Sequence, residues 1–242
     1  MNKTRYRSWG ISHPGAKRKY NEDTFVNRPD LGLWAVADGA GGHQAGEVAS
    51  GMIREALEAI PPELSASELL AEVRIRIAAT HDALRQMAEE RGNGAMIAST
   101  VVAVLIRNEY CACLWAGDSR FYLLRNGVLR QITKDHSLVQ DLVDSGAITE
   151  DEAENHPRAN VITRAVGADM DDFVLDKTME RLQPGDRLLL CSDGLCKTLS
   201  NDTLAALLGA EIVAPPPQIL IEAALAESVT DNVTAVTIEI LG

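Results

Sequence analysis

Five short acidic motifs stand at the edges of apolar runs: Asn21-Glu22-Asp23, Asp38-Gly39-Ala40-Gly41-Gly42-His43, Gly117-Asp118-Ser119-Arg120, Ser192-Asp193-Gly194 and Asp231-Asn232. Carboxylates at the ends of buried strands are costly to desolvate, and they repel one another when gathered. A fold that clusters them needs cations. A ligand set made only of oxygen calls for hard ones, Mg²⁺ or Mn²⁺. The chemistry this points to is metal-dependent hydrolysis of phosphate esters.

The rest of the chain can support such a cluster. It has 242 residues, of which 46% are hydrophobic, enough for a sizeable core. Its net charge is −12, from 23 basic and 35 acidic residues. That balance argues against nucleic-acid and anionic-membrane partners, which need a basic patch. Residues 1–20 are polar, with Lys3, Arg5, Arg7, Lys17, Arg18 and Lys19 and no apolar leader core. No run approaches the roughly 18 apolar residues of a membrane span, so a cytoplasmic location is expected. Cys111 and Cys113 alternate with Ala112 in an apolar strand and should face one side as buried thiols. No zinc-like cysteine spacing is present. Cys113 and Arg120 are one residue too far apart for a thiolate phosphate cradle.

Residues 31–37 read as a buried strand that ends at Asp38. A helix over 45–60 stops at Pro61-Pro62. A second runs from about 67 to 91, with Leu70, Val73, Ile77, Leu84 and Met87 on its apolar stripe, and ends at Gly92-Asn93-Gly94. Strands follow at 98–106, 110–116 and 121–124, and Asn126-Gly127 marks a two-residue hairpin. A short helix over 137–144 is capped near Asp135 or Ser137. Residues 145–160 read as an irregular surface excursion. A strand over 187–191 leads to Asp193. Ser200 caps a helix through Leu208, Pro215-Pro216-Pro217 opens another over 218–228, and residues 233–241 form the closing strand. Hairpins imply antiparallel pairing, and two long helices adjacent in sequence disfavour a doubly wound parallel sheet. The expected architecture is one α+β domain over residues 1–242, a layered sandwich.

Taken in order, Arg18, Asn21-Glu22-Asp23, Asp38-Gly39-x-Gly41-Gly42-His43, Ser99-Thr100, Gly117-Asp118-Ser119-Arg120, Ser192-Asp193-Gly194 and Asp231-Asn232-Val233-Thr234 resemble the metal-dependent protein phosphatase family, protein phosphatase 2C type. The resemblance is greatest to its compact bacterial members and runs from about Ser8 to Ile240. It implies a four-layer α-β-β-α sandwich, two antiparallel sheets flanked by helix pairs, with metals at one end of the sheets. It also implies a protein serine/threonine phosphatase that opposes a cytoplasmic serine/threonine kinase. Phosphoproteins would be its substrates, a monomer is expected, and no nucleic-acid or membrane partner is.

Residue by residue, the resemblance makes Asp38 a bridge between two Mn²⁺ or Mg²⁺ ions, with the Gly39 carbonyl adding a ligand. Asp193 and Asp231 would hold the second ion. Glu22 would act through water, with Asp23 supporting it, and Asp118 and Asp193 would bind a third, weaker ion. Arg18 would grip the substrate phosphate, and Asn232 would orient Asp231 or a bound water. Two divalent ions about 3.5–4 Å apart can activate a bridging water for attack on phosphorus. The glycines at 39–42 would let backbone approach metal or phosphate.

The chain departs from some eukaryotic relatives at Ala40, where they carry a His proposed to protonate the leaving group. His43 is a candidate acid whose position also suits a structural role at a helix start, and metal-bound water is the alternative. Residues 135–164 resemble the family's flap, with His136, Ser137 and Asn160 nearby and unassigned. Two other functions remain open on the sequence: a non-catalytic pseudophosphatase that binds phosphoproteins, and a hydrolase of small phosphoesters.

Overall fold

Apolar runs at 33–37, 101–106 and 188–191 bury side chains on both faces. A strand does this only when a layer covers each side of its sheet. The computed structural model describes residues 5–41, 45–169, 173–210 and 214–241. Strands β1 (Arg5–His13), β2 (Asp23–Arg28) and β3 (Leu33–Ala40) precede helices α1 (Ala45–Glu58) and α2 (Ala66–Arg91). Then come β4 (Ala98–Ser99), β5 (Val101–Arg107), β6 (Tyr110–Ala116), β7 (Arg120–Arg125) and β8 (Val128–Gln131). Short helices α3 (Leu138–Asp144) and α4 (Glu150–Glu154) lead to β9 (Asp176–Arg181) and β10 (Arg187–Cys191). The chain closes with the single turn α5 (Asp193–Cys196), α6 (Asn201–Gly209), α7 (Pro216–Ala226) and β11 (Val233–Leu241).

One sheet has the order β1-β11-β10-β7-β8 and the other β2-β3-β5-β6-β9, with β4 paired to β3. Side-chain alternation divides the core into three layers. Leu33, Ala35 and Ala37 of β3 point to the side of α1 and α2, where they meet Ala49, Ile53, Leu57, Val73 and Ile77. Trp34 and Val36 point the other way and join Val102, Val104, Phe121, Leu123, Leu188, Leu190, Val236 and Ile238 between the sheets. Tyr122, Leu189 and Ala235 face outward again, against Leu204, Leu208, Leu220 and Ile221 of α6 and α7. This is the expected four-layer α-β-β-α sandwich, with α1 and α2 on one side and α6 and α7 on the other. Cys111 and Cys113 are free thiols that share the middle layer.

Local chemistry sets the element ends. Ser65 and Glu68 form a reciprocal capping box at the start of α2, and Gly92 stops it at φ 67°. Asn126 and Gly127 take φ 52° and 78°, the left-handed pair that a tight hairpin needs. Ser137 and Ser200 accept backbone N–H bonds as the caps of α3 and α6.

The structure also corrects several expectations. The α2 stripe begins at Leu69 and passes through Val73, Ile77, His81 and Leu84, while Leu70 is only partly buried and Met87 is exposed. β3 does not end at Asp38: Gly39 and Ala40 continue it by pairing with Ser99 and Ala98, and the 98–106 strand breaks at Thr100. Helix α4, with a capping box from Thr149 and Glu152, lies inside the stretch expected to be irregular. β1, β2 and β9, unread in the sequence, are all outermost strands of their sheets.

Leu190 is fully buried between the sheets, so Leu190→Ala should lower unfolding free energy by about 2–5 kcal/mol. Met179→Ala on exposed β9 should change it by no more than about 0.5 kcal/mol. Urea denaturation of the two variants measures both, and equal losses would refute the layering.

Candidate metal centre

The acidic residues come from strand ends that the topology brings together. Asp23 opens β2 and is the register partner of Asp38 near the end of β3. In the other sheet, Asp118 precedes β7, Asp193 follows β10 and Asp231 precedes β11, three strands that lie side by side. Antiparallel pairing puts those three termini at one end. The two sets meet across the sandwich: the charges of Asp23, Asp193 and Asp118 all act on Asp38.

Neutral hydroxyls and amides lock this end. The Thr100 Oγ1 accepts the Asp38 N–H at 3.1 Å, and the Asp38 carbonyl accepts both the Thr100 N–H at 2.8 Å and the Ser99 hydroxyl at 2.9 Å. Thr100 Oγ1 also lies 2.7 Å from Ser119 Oγ, which ties Asp38 to the segment that carries Asp118. Ser192 and Thr234 each donate a hydroxyl to Asp23 Oδ2 at 2.7 Å, which joins the two sheets. The Asn232 side chain does not reach Asp231. Its Oδ1 accepts the Glu22 N–H at 2.8 Å, and its Nδ2 donates to the carbonyls of Pro14 and Tyr20, so it holds the segment that presents Glu22. Its backbone N–H donates to Asp231 Oδ1 at 2.8 Å.

Two glycines of the motifs answer to packing. A Cβ on Gly39 would run into the Gly46 carbonyl at the start of α1, and one on Gly194 would run into the Asn232 carbonyl. Gly39 thus lets α1 rest on the end of β3, and Gly194 lets α5 rest against the turn that holds Asp231.

Only two side-chain cations face the cluster among the described residues' ion pairs. The Lys197 ammonium lies 2.7 Å from Asp193 Oδ2 and 3.1 Å from Asp118 Oδ2. The Arg18 guanidinium, about half exposed, reaches Asp231 Oδ2 at 2.8 Å. The rest of the negative charge is felt as raised pKa values. Removal from water is the largest cause of each. It holds Asp23 up at about 7, with Asp193 and Asp231 adding to it and the Ser192 and Thr234 hydroxyls opposing it. Asp118 is pushed up to about 6, with Asp193 adding and Lys197 opposing. Asp38 stands well above the usual carboxylate range, raised further by Asp23, Asp193 and Asp118 and by a hydrogen bond with Asp193.

The donor set fits hard divalent cations. It is all oxygen, and Asp23 Oδ1 and Asp118 Oδ1 are buried with no hydrogen-bond partner, a costly state without a cation. Among the described residues, no group of three or more His, Cys, Asp or Glu side chains is already disposed around one ion. Asp118, Asp193 and Asp231 turn instead to Lys197 and Arg18.

The segment 135–164 is tied at its base. Arg120 makes paired bonds to Asp135 through Nε and Nη2. His136 Nδ1 accepts the Gly117 N–H at 3.1 Å, so its Nε2 carries the proton shared with Asp176 Oδ2 at 3.2 Å. A bridge between Ser137 and Ile162 closes the segment, and Asn160 Oδ1 accepts from Lys197 at 3.0 Å. Of the residues named from sequence, Asp23, Asp38, Asp118, Asp193 and Asp231 converge with Arg18, and Glu22 flanks them, its Oε1 beside Gly46. His43 lies outside the described residues. Lys197 had gone unread, and His136 and the hydroxyls of Ser192 and Thr234 had been given no role. The one available signal for Lys197 was its position four residues after Asp193.

An acid whose pKa is raised on folding binds more protons folded than unfolded, so stability falls as pH rises between the two values. For Asp23 that window runs from its ordinary 3.8 to about 7. The chelated protein should therefore lose thermal stability across that window, Asp23→Asn should lessen the loss, and Mn²⁺ should restore it. Thermal melts at several pH values would expose the opposite slope if burial of Asp23 were not costly.

The comparisons with known proteins agree with this geometry. A family model described as protein phosphatase 2C matches residues 14–227. The serine/threonine protein phosphatase PstP of Mycobacterium tuberculosis is 39% identical over 230 residues, covering 95% of this chain and 44% of the relative. The chain thus spans less than half the length of that protein. The solved structure of PppA, described as a key regulatory component of T6SS in Pseudomonas aeruginosa, superposes with a TM-score of 0.90 at 40% identity, covering 99% of this chain and 100% of that one. The catalytic domain of PstP in complex with two manganese ions superposes with a TM-score of 0.87 at 36% identity over the full length of both chains. The chain belongs to the protein phosphatase 2C family of metal-dependent protein phosphatases.

Proposed function

We propose that residues 1–242 form one catalytic domain of a Mn²⁺- or Mg²⁺-dependent protein phosphatase that hydrolyses phosphoserine and phosphothreonine esters of proteins. The observation that carries this reading is the convergence of carboxylates from both sheets on Asp38, with two lone buried carboxylate oxygens among them. The manganese complex of the PstP catalytic domain supports the choice of metal. Asp38, the Gly39 carbonyl, Asp193 and Asp231 would hold two ions, with Glu22 acting through water and Asp23 supporting that shell. Bound there, the ions supply Lewis-acid activation of water and neutralise charge on the phosphoryl oxygens.

The chain's own groups do the rest. Arg18 is held toward the centre through one nitrogen by Asp231, and its remaining N–H donors suit the paired oxygens of a phosphate. Asn232 keeps Glu22 in place. Residues 135–164 act as the flap that shapes substrate choice, anchored beside Asp118 through His136 and Gly117. The substrates are phosphorylated proteins, the opposing activity is a serine/threonine kinase, and the enzyme works as a monomer in the cytoplasm. No helix among the described residues is long and apolar enough to cross a membrane.

Phosphate release from a phosphothreonine peptide, by metal-stripped protein with Mn²⁺ or Mg²⁺ restored, tests this. Release should depend on the ion, and Asp193→Asn should lower it by at least about 100-fold, beyond the loss typical of groups that only orient a ligand. Release by the folded protein without any divalent ion would refute the mechanism. Faster turnover of small phosphoesters than of phosphopeptide would move the substrate class.

A further inference from the structure

The resemblance assigns Asp118 and Asp193 to a third, weaker ion, yet a side chain already bridges their Oδ2 atoms, while Asp118 Oδ1 stays unpartnered. Lys197 is the C-cap of α5, and its N–H bonds to the Asp193 carbonyl one turn back. That turn swings the lysine stem over Asp193. The ammonium meets three oxygens, Asp193 Oδ2 at 2.7 Å, Asn160 Oδ1 at 3.0 Å and Asp118 Oδ2 at 3.1 Å. An ammonium has three N–H donors, and each has an acceptor here. The three acceptors come from three separate segments: α5, the flap and the turn before β7. Two-thirds of the lysine side chain is buried, and Asp118 almost wholly.

We propose that Lys197 is this chain's built-in cation between Asp118 and Asp193, so that the centre takes two divalent ions and no third, and that the same ammonium pins the flap at Asn160. This rests on the reading of the cluster as a metal centre. A lysine supplies one charge where an ion would supply two, and here its three donors already occupy oxygens of Asp118, Asp193 and Asn160. It also makes flap position independent of Mn²⁺ concentration. Lys197 is thus a positioning residue.

Equilibrium dialysis against Mn²⁺, with metal and protein quantified per chain, tests it on wild-type, Lys197→Ala and Lys197→Arg proteins. Wild type and Lys197→Arg should hold two ions, and Lys197→Ala three. Hydrogen exchange around Asn160 should quicken in Lys197→Ala in the absence of Mn²⁺ and not in Lys197→Arg. Three ions in wild type, with loss of one in Asp118→Asn, would overturn the proposal and leave the metal centre intact. That comparison decides the matter even if Lys197→Ala does not fold. Two ions in both wild type and Lys197→Ala would also overturn it. No ion in wild type would overturn the metal centre and the proposal together.

Discussion

Mutual repulsion among carboxylates at one end of two sheets is the constraint around which this molecule is arranged. Five aspartates reach that end from five strand termini, and burial makes the ionised forms of Asp23, Asp38 and Asp118 costly. A cluster of this kind would spread apart unless the strands that carry it were held elsewhere. The apolar layer between the sheets, with Trp34, Phe121, Leu123, Leu188, Leu190 and Val236, supplies that hold. Hydrophobic burial in the middle of the sandwich therefore opposes electrostatic strain at its edge, and divalent cations relieve that strain where they bind.

The groups that shape the cluster are mostly uncharged. Ser99 and Thr100 grip the backbone of Asp38 on both its N–H and its carbonyl. Ser192 and Thr234 cross from one sheet to Asp23 of the other. Hydroxyls can orient a carboxylate without neutralising it, so they leave its charge available to a cation. A lysine or arginine in the same places would bind the carboxylate more strongly and compete for it, as Lys197 does at Asp118.

The sequence read best where strands are central and worst where they are outermost. Residues 101–106, 110–116 and 187–191 are covered on both faces, and their apolar runs stand out. β1, β2 and β9 lie at sheet edges, where one side meets solvent and the apolar pattern thins. In β9 no residue is fully buried. Helix α4 is a single turn whose signal was the Thr149–Glu152 box, hidden in an acidic stretch. The convergence of the aspartates was legible because five short acidic motifs stand beside apolar runs. The roles of Lys197 and His136 were not, because each acts through a partner remote in sequence, Asp118 and Gly117. The glycine at 39 has a second neighbour that the sequence did not show, the Gly46 carbonyl at the start of α1.

The pairing of Asp23 with Asp38 carries a lesson about length. Successive residues of a strand face opposite sides, so adding one residue to β3 ahead of Asp38 would turn its carboxylate from one layer to the other. The same addition near Ser145 or Asn155, in the turns of segment 135–164, displaces no strand. The chain thus has a fixed ruler and a free margin. Insertions and deletions in descendants of this sequence have room to accumulate between Asp135 and Arg164 and almost none between Leu33 and Asp38, whatever the side chains themselves tolerate.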